Sequence, residues 1–350
     1  MLRVLHVATE RLRPGSAAEV HFKAIAEGVS EQGTAWTRRS TSATRWPALR
    51  LVAAQLVHLR RAIWSDVCYV RWHPLDVWLL ACRWILRVPY VLEVNGTQED
   101  LYISHSSLRR FSRLMDSIVA LQIREAAAVV AVSPGLRDWA RGIKGRRKEP
   151  VGWAPNGAVV TVAPTEMVHP PYVVYVGELA PWQGLELLLA AKESSCWPEG
   201  VALHVAGSGQ MEPLLREAAS QGQVVWHGRL PREDALGLLS RAAVSVSPQS
   251  KQFDRNLHMG RPLKIAESLL LGVPVVLTDF GADSRLVASL PGCRLLTEED
   301  PDLLAVNIAA VLDGATPGQR AALASEAGEV ASWHPAIELA WTLIRQVTSH

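Results

Sequence analysis

The chain has 350 residues, enough for about two domains at ~150 residues each. It is 49% hydrophobic and 20% charged, with 24 Gly and 21 Pro, which excludes a disordered or collagen-like chain. The net charge of +2 conceals a split: residues 1–160 carry 23 Lys and Arg against 13 Asp and Glu, and residues 161–350 carry 13 against 21, so a half of +10 precedes a half of −8. Asymmetry of this kind points the basic half at an anionic partner such as nucleic acid, a membrane surface or an acidic substrate.

Short apolar runs alternate with helical patterns along both halves, at 2–8, 66–72, 90–96, 127–133 and 151–155, and again at 172–179, 201–206, 224–228, 244–248 and 273–279. Continuous apolar strands separated by helices indicate parallel sheets covered on both faces, one for each half. The expected fold is α/β, with two Rossmann-like domains facing across a cleft. We place the first domain at 1–160 and the second at 165–333. The proline-bearing stretch 157–171 serves as linker, and a C-terminal helix at about 335–350 returns to the first domain.

Helix starts are legible at several points. Ser16-Ala-Ala-Glu19 has the form of a capping box, and the helix it opens should stop near Gly33. Gly260-Arg-Pro262 puts proline at a first helical position, with Gly272 and Pro274 closing that helix after about ten residues. Asp300-Pro-Asp302 is the sole Asp-x-Asp, and it reads as a cap followed by proline rather than as a metal site. Four cysteines stand far apart without a C-x-x-C, which implies neither zinc nor a disulfide framework and fits a reducing, cytoplasmic compartment. No run approaches the ~18 apolar residues of a membrane span.

The most informative segment runs from Arg261 to Asp279. Its helix N-terminus favours an anion, and Lys264 in the first turn is unfavourable there unless an anion sits between cation and dipole. Glu267, one turn further on the same face, could accept hydrogen bonds from the paired hydroxyls of a ribose; the plain alternative is an exposed Lys–Glu pair.

Pro262-Leu-Lys-Ile-Ala-Glu267, followed by Leu271-Gly-Val-Pro-Val-Val276, resembles the donor-binding segment of the family 4 glycosyltransferases, which have the GT-B fold and retain anomeric configuration. Met1 to Ala8 with Pro14-Gly15, Pro89 to Gly96, Ala131-Val-Ser-Pro134, Pro155-Asn-Gly157, Tyr175 to Gly184 and Leu203 to Gly209 match further family stretches in order. The resemblance implies transfer of a sugar from a nucleoside-diphosphate sugar without a metal or other cofactor. It places Asn95, Lys264 and Glu267 at the reaction centre. Donor contacts would come from Gly15, Ser16, Gly177, Gln183, Gly184, Gly207, Gly209, Arg229, Leu230 and Leu263, together with Lys264 and Glu267. Four positions depart from the family pattern. Met259 stands where a first glutamate is common, Glu178 and Gln183 stand where a basic pair meets the diphosphate, and Asn95 replaces a frequent histidine. Lys264 and the amides near Leu263 are then the expected substitutes for the missing basic pair, with Arg255 or Arg261 as helpers.

Between Gln32 and Ser65 lie six arginines, no acid, and Trp36, Trp46 and Trp64. The stretch reads either as a solvated helix packed by its tryptophans, or as a surface for anionic lipid or a lipid-linked acceptor, which would bring the protein into peripheral contact with the inner face of the cell membrane. No nucleic-acid module is recognisable. The first loop, Ala8-Thr-Glu-Arg-Leu-Arg-Pro-Gly15, lacks Gly-x-Gly-x-x-Gly and speaks against a dehydrogenase. A sugar-nucleotide epimerase and an inactive nucleotide-sugar-binding scaffold are the remaining alternatives.

Overall fold

The computed structural model describes residues 2–349 apart from 11, 13–14, 33–35, 41–46, 105 and 148, with 36–40, 47–50, 103, 104 and 106 described by backbone alone. The chain divides into two compact units. The first comprises Met1–Pro155, His258–Gly260 and Trp333–His350, and the second comprises Asn156–Leu257 and Arg261–Ser332.

Unit 1 runs β1 (Arg3–Ala8), α1 (Ala17–Glu31), β2 (Trp36–Ser40), α2 (Pro47–Ala62), β3 (Val67–Arg71), α3 (Trp78–Trp84), β4 (Tyr90–Val94), α4 (Glu99–Ser104), α5 (Ser112–Glu125), β5 (Ala128–Ala131), α6 (Pro134–Lys144) and β6 (Val151–Trp153). Its six strands are all parallel in the order β2-β1-β3-β4-β5-β6. The direction of winding reverses between β1 and β3. Strands β3, β4 and β5 are almost wholly buried and Val/Leu/Ala-rich, as a sheet covered on both faces demands.

Unit 2 runs β7 (Tyr172–Val176), α7 (Leu185–Glu193), β8 (Ala202–Ala206), α8 (Glu212–Ser220), β9 (Val225–Trp226), α9 (Arg232–Ser240), β10 (Val244–Ser247), α10 (Asp254–His258), α11 (Leu263–Leu270), β11 (Val275–Thr278), α12 (Ala282–Ala288), β12 (Arg294–Leu296), α13 (Pro301–Gly314) and α14 (Pro317–Val330). These strands are also parallel, in the order β12-β11-β10-β7-β8-β9. That is the doubly wound nucleotide-binding order, with its switch point between β7 and β10, where such sheets take ligands beyond the strand C-termini. The last helix, α15 (His334–Thr348), belongs to unit 1. It packs on α1 so closely that a Cβ on Gly28 would lie 2.3 Å from Ile337 Cδ1.

Three details differ from expectation. Two of the four edge strands, β2 and β12, fall outside the apolar runs, since a strand with one neighbour needs no continuous apolar sequence; the other two, β6 and β9, lie within them. Pro262 caps α11 instead of opening it, and the helix has eight residues. Glu19 completes the capping box one residue early: Ser16 Oγ accepts from the Glu19 amide (3.3 Å), but the Glu19 carboxylate accepts from the amide of Gly15 (2.8 Å). The stretch 156–171 is irregular, yet Ala158 is buried in unit 2 and its amide donates to Ala331 O (2.8 Å).

Candidate functional site

The crevice of unit 2 is built from the loop after β7, the loop after β10, and the start of α11. Gly184 opens α7 in a left-handed conformation (φ 71°), and a Cβ there would stand 1.7 Å from Pro248 O. Only glycine lets the β7 and β10 loops meet this closely. From β10 the chain continues to Asn256, whose amide donates to Trp182 O and Ser250 O, both at 2.7 Å. Arg255 stacks on the Trp182 ring with its guanidinium carbon 4.0 Å from the centroid.

Lys264 is buried at the centre of this arrangement. Its Nζ donates to Gln183 Oε1 (2.9 Å) and lies 3.9 Å from the centroid of the Tyr175 ring. The Tyr175 hydroxyl in turn reaches Glu178 O (2.8 Å), and burial pushes its pKa up. The point at issue is charge. Among the described residues no carboxylate pairs with Lys264, and burial alone brings its pKa down to about 7. The ammonium thus ends beside Gln183, at the loop position where the resembling family carries a basic residue. Helix α11 brings a cation against the β7 loop. The first turn of α11 has no capping side chain; Ile265 N turns back to Pro262 O (3.0 Å), and the amides of Leu263 and Lys264 have no side-chain cap.

Glu267 is also buried, but its partner is not Lys264. Arg232 Nη2 lies 2.7 Å from Glu267 Oε1 and also donates to Val159 O (3.0 Å). Burial pushes the Glu267 carboxyl up, and Arg232 opposes that shift. Sequence reasoning missed Arg232. The signal was present, since a cation in the first turn of α9 is the same anomaly that singled out Lys264. Arg229 and Leu230 precede it in the same loop, with Arg229 exposed and Leu230 half-buried against the Leu236–Val273 cluster.

The glycines have a packing explanation. A Cβ on Gly207 would lie 1.8 Å from Gly177 O, and the two loops are joined by hydrogen bonds from Leu179 N to Ser208 O (3.0 Å) and from Met211 N to Leu179 O (2.9 Å). The Gly209 amide donates to Glu212 Oε1 (3.0 Å). Asp300 caps α13 by accepting from Leu303 N (2.7 Å). Arg261 is paired with Asp283 (2.5 Å), so it is not a spare cation for the crevice.

In unit 1 the candidates gather at the strand C-termini. Asn95 Nδ2 donates to Glu93 Oε1 (2.8 Å), which fixes the orientation of the amide. Glu93 is buried and also receives the Tyr69 hydroxyl (2.8 Å), His21 Nε2 (2.9 Å) and Arg71 Nη1 (3.4 Å). Burial would raise its pKa, but His21, Arg71 and Asn95 together hold it well below the usual carboxylate range. Gly15, in the left-handed region (φ 73°), spends its amide on Glu19, so neither it nor the Ser16 cap is idle. None of Glu93, Arg71 and His21 stood out in sequence, where each reads as an ordinary residue of a strand or helix. Nearby, Asp76 accepts from Thr9 Oγ1 (2.5 Å), and burial brings its carboxyl up to about 7. Among the described residues no group of three or more His, Cys, Asp or Glu is arranged to hold a metal ion.

Solved structures share this architecture across the whole chain. Sucrose-phosphate synthase from Thermosynechococcus elongatus superposes with a TM-score of 0.75 at 15% identity, covering 100% of both chains. HepE from Anabaena, solved with UDP-glucose, gives 0.67 at 16% identity over 100% of this chain and 99% of its own. The lipopolysaccharide outer core galactosyltransferase WaaB gives 0.66 at 12% identity over 99% of each. No curated protein matches by sequence. Residues 170–314, which contain every candidate of unit 2, match the family model described as "Glycosyl transferases group 1", and the chain as a whole has the GT-B fold of glycosyltransferases.

Proposed function

We propose that the protein transfers a sugar from a nucleoside-diphosphate sugar to an acceptor, with retention of configuration and without a metal. The observation that carries this reading is the buried ammonium of Lys264, which has no counter-ion among the described residues and stands at the switch point of a nucleotide-binding sheet. A diphosphate supplies the missing charge. As the bond to the sugar breaks, negative charge grows on the departing diphosphate, and Lys264 with the amides of Leu263 and its neighbours is positioned to stabilise it. Glu267, one helical turn deeper, accepts from the ribose hydroxyls, with Arg232 keeping it ionised. HepE holds UDP-glucose, which makes UDP the first nucleotide to try. The acceptor in this reading is lipid-linked or membrane-borne, and the protein works at the inner face of the membrane.

Calorimetric titration with UDP, GDP and ADP tests the donor site. Lys264→Ala is expected to weaken the preferred nucleotide at least ~10-fold, since a charge-assisted hydrogen bond contributes about 1.5–3 kcal/mol. Glu267→Ala is expected to abolish transfer. Unchanged affinity in Lys264→Ala refutes the assignment, and a changed sugar recovered from donor without acceptor points to an epimerase instead.

A further inference from the structure

We infer that the strand N-terminal edge of unit 1 docks on an anionic lipid bilayer through exposed tryptophan and isoleucine side chains ringed by unpaired arginines. The inference rests on the membrane-borne acceptor of the proposed function, but its test needs no donor.

The edge is formed where α2 and α3 end. Helix α2 packs on α3, with Gln55 bridging to Leu75 O and Trp78 N at 2.9 Å each. The loops that follow the two helices lead into paired strands, Cys68 lying opposite Tyr90 and donating to Pro89 O (3.0 Å). The end of α3 and these loops expose Ile63 (55%), Trp64 (63%), Trp84 (55%) and Ile85 (76%). Large apolar side chains grouped at one edge, rather than scattered singly, mark an interaction surface. Val52 and Leu56 extend the exposed apolar row back along α2.

The charge around them selects the occupant. Three acids at this edge, Asp66, Glu125 and Glu149, are already taken by Arg3 (2.6 Å), Arg147 (3.3 Å) and Lys144 (3.7 Å), while Glu31 at the end of α1 lies toward β2. Arg60, Arg83 and Arg87 are exposed, and among the described residues none has a carboxylate within salt-bridge distance. Trp84 Nε1 donates to Glu125 Oε2 (3.2 Å), which fixes the indole with its polar edge inward and its ring outward. Indoles at the headgroup level flanked by arginines are the arrangement of an interfacial anchor, and free cations there attract anionic lipid. The edge lies at the strand starts, whereas Asn95, Glu93 and Arg71 lie at the strand ends. It therefore holds the protein on the membrane without itself forming the acceptor pocket, unlike the acceptor-binding surface read from the arginine-rich sequence. Side chains of 38, 39, 45 and 50 lie outside the described residues and carry no part of this inference.

Flotation of the full chain with vesicles of phosphatidylglycerol and phosphatidylcholine in equal parts, against phosphatidylcholine alone, tests it. Binding is expected on the anionic vesicles only and should fall as salt rises. The double variant Arg83→Glu, Arg87→Glu should lower the partition about 30-fold or more. Ile85→Ser, at a position too exposed to affect folding, should lower it as well, and Trp84→Ser should act like it. Unchanged protease resistance of unit 1 in all three shows that its fold is intact, and unchanged nucleoside-diphosphate affinity separates failure of docking from failure of the donor site in unit 2. The inference is overturned if wild-type protein ignores anionic vesicles, binds neutral ones equally, or floats as well after these substitutions. It is overturned too if the wild type is dimeric, fails to float, and becomes monomeric on Ile85→Ser.

Discussion

Lys264 pairs with an amide oxygen and an aromatic face where a lysine in the interior ordinarily finds a carboxylate. That makes its protonation responsive to whatever enters the crevice. Burial lowers its pKa to about 7 in the free protein, and a bound diphosphate must raise it. Binding therefore takes up a proton above neutrality. Affinity should be level below about pH 7 and fall by up to ~10-fold per pH unit above it. Calorimetry in buffers of different ionisation enthalpy should record the uptake, and Lys264→Ala should abolish it together with the slope. The sequence showed this residue, because a cation opposing a helix dipole is anomalous in one dimension. It did not show what surrounds it. Gln183 and Tyr175 come from the β7 strand and loop, about eighty positions earlier, and Arg232 reaches Glu267 from another helix; pairings of that span carry no local signature.

Elements were legible where burial on both faces forced a run of apolar residues, as in β4 and β10, and illegible where it did not, as in the edge strands β2 and β12. Helix caps were legible because their chemistry is local, Ser16, Ser133 and Asp300 each accepting from an amide three residues on. Helix-to-helix fit was not, and α1 against α15 shows why. Gly28 in mid-helix looks like a weak point in sequence, costing about 1 kcal/mol relative to Ala. In the structure it is the hollow that receives Ile337. Gly28→Ala should destabilise by ~1–3 kcal/mol through overpacking despite its better helix propensity. Ile337→Val combined with it should recover part of that loss. A denaturant double-mutant cycle reads the coupling directly, and additivity would disprove the fit.

At the scale of the molecule the charge split holds at the structural boundaries: unit 1 carries 24 Lys and Arg against 14 Asp and Glu, and unit 2 carries 12 against 20. The proposed anion site lies in the acidic unit, so in that reading its attraction is local, from Lys264 and helix amides, and works against the unit's overall field. The basic unit owes part of its excess to the docking edge.

Unit 1 also depends on a segment far from the rest of it. Helix α15 buries Ala336, Ala340, Leu343 and Ile344, and both Gly28 and Gly152 are shaped to its Ile337 and Leu339. Ending the chain at Ser332 should leave unit 1 open to protease while unit 2 survives, as limited proteolysis with mass spectrometry would show; equal resistance of both would contradict this. The order of synthesis then matters. At ~5–20 residues per second the ribosome spends roughly 9–35 s on the stretch from Asn156 to Ser332. For that interval the first unit waits with its α1 groove uncovered, so the half of the protein made first is the half completed last.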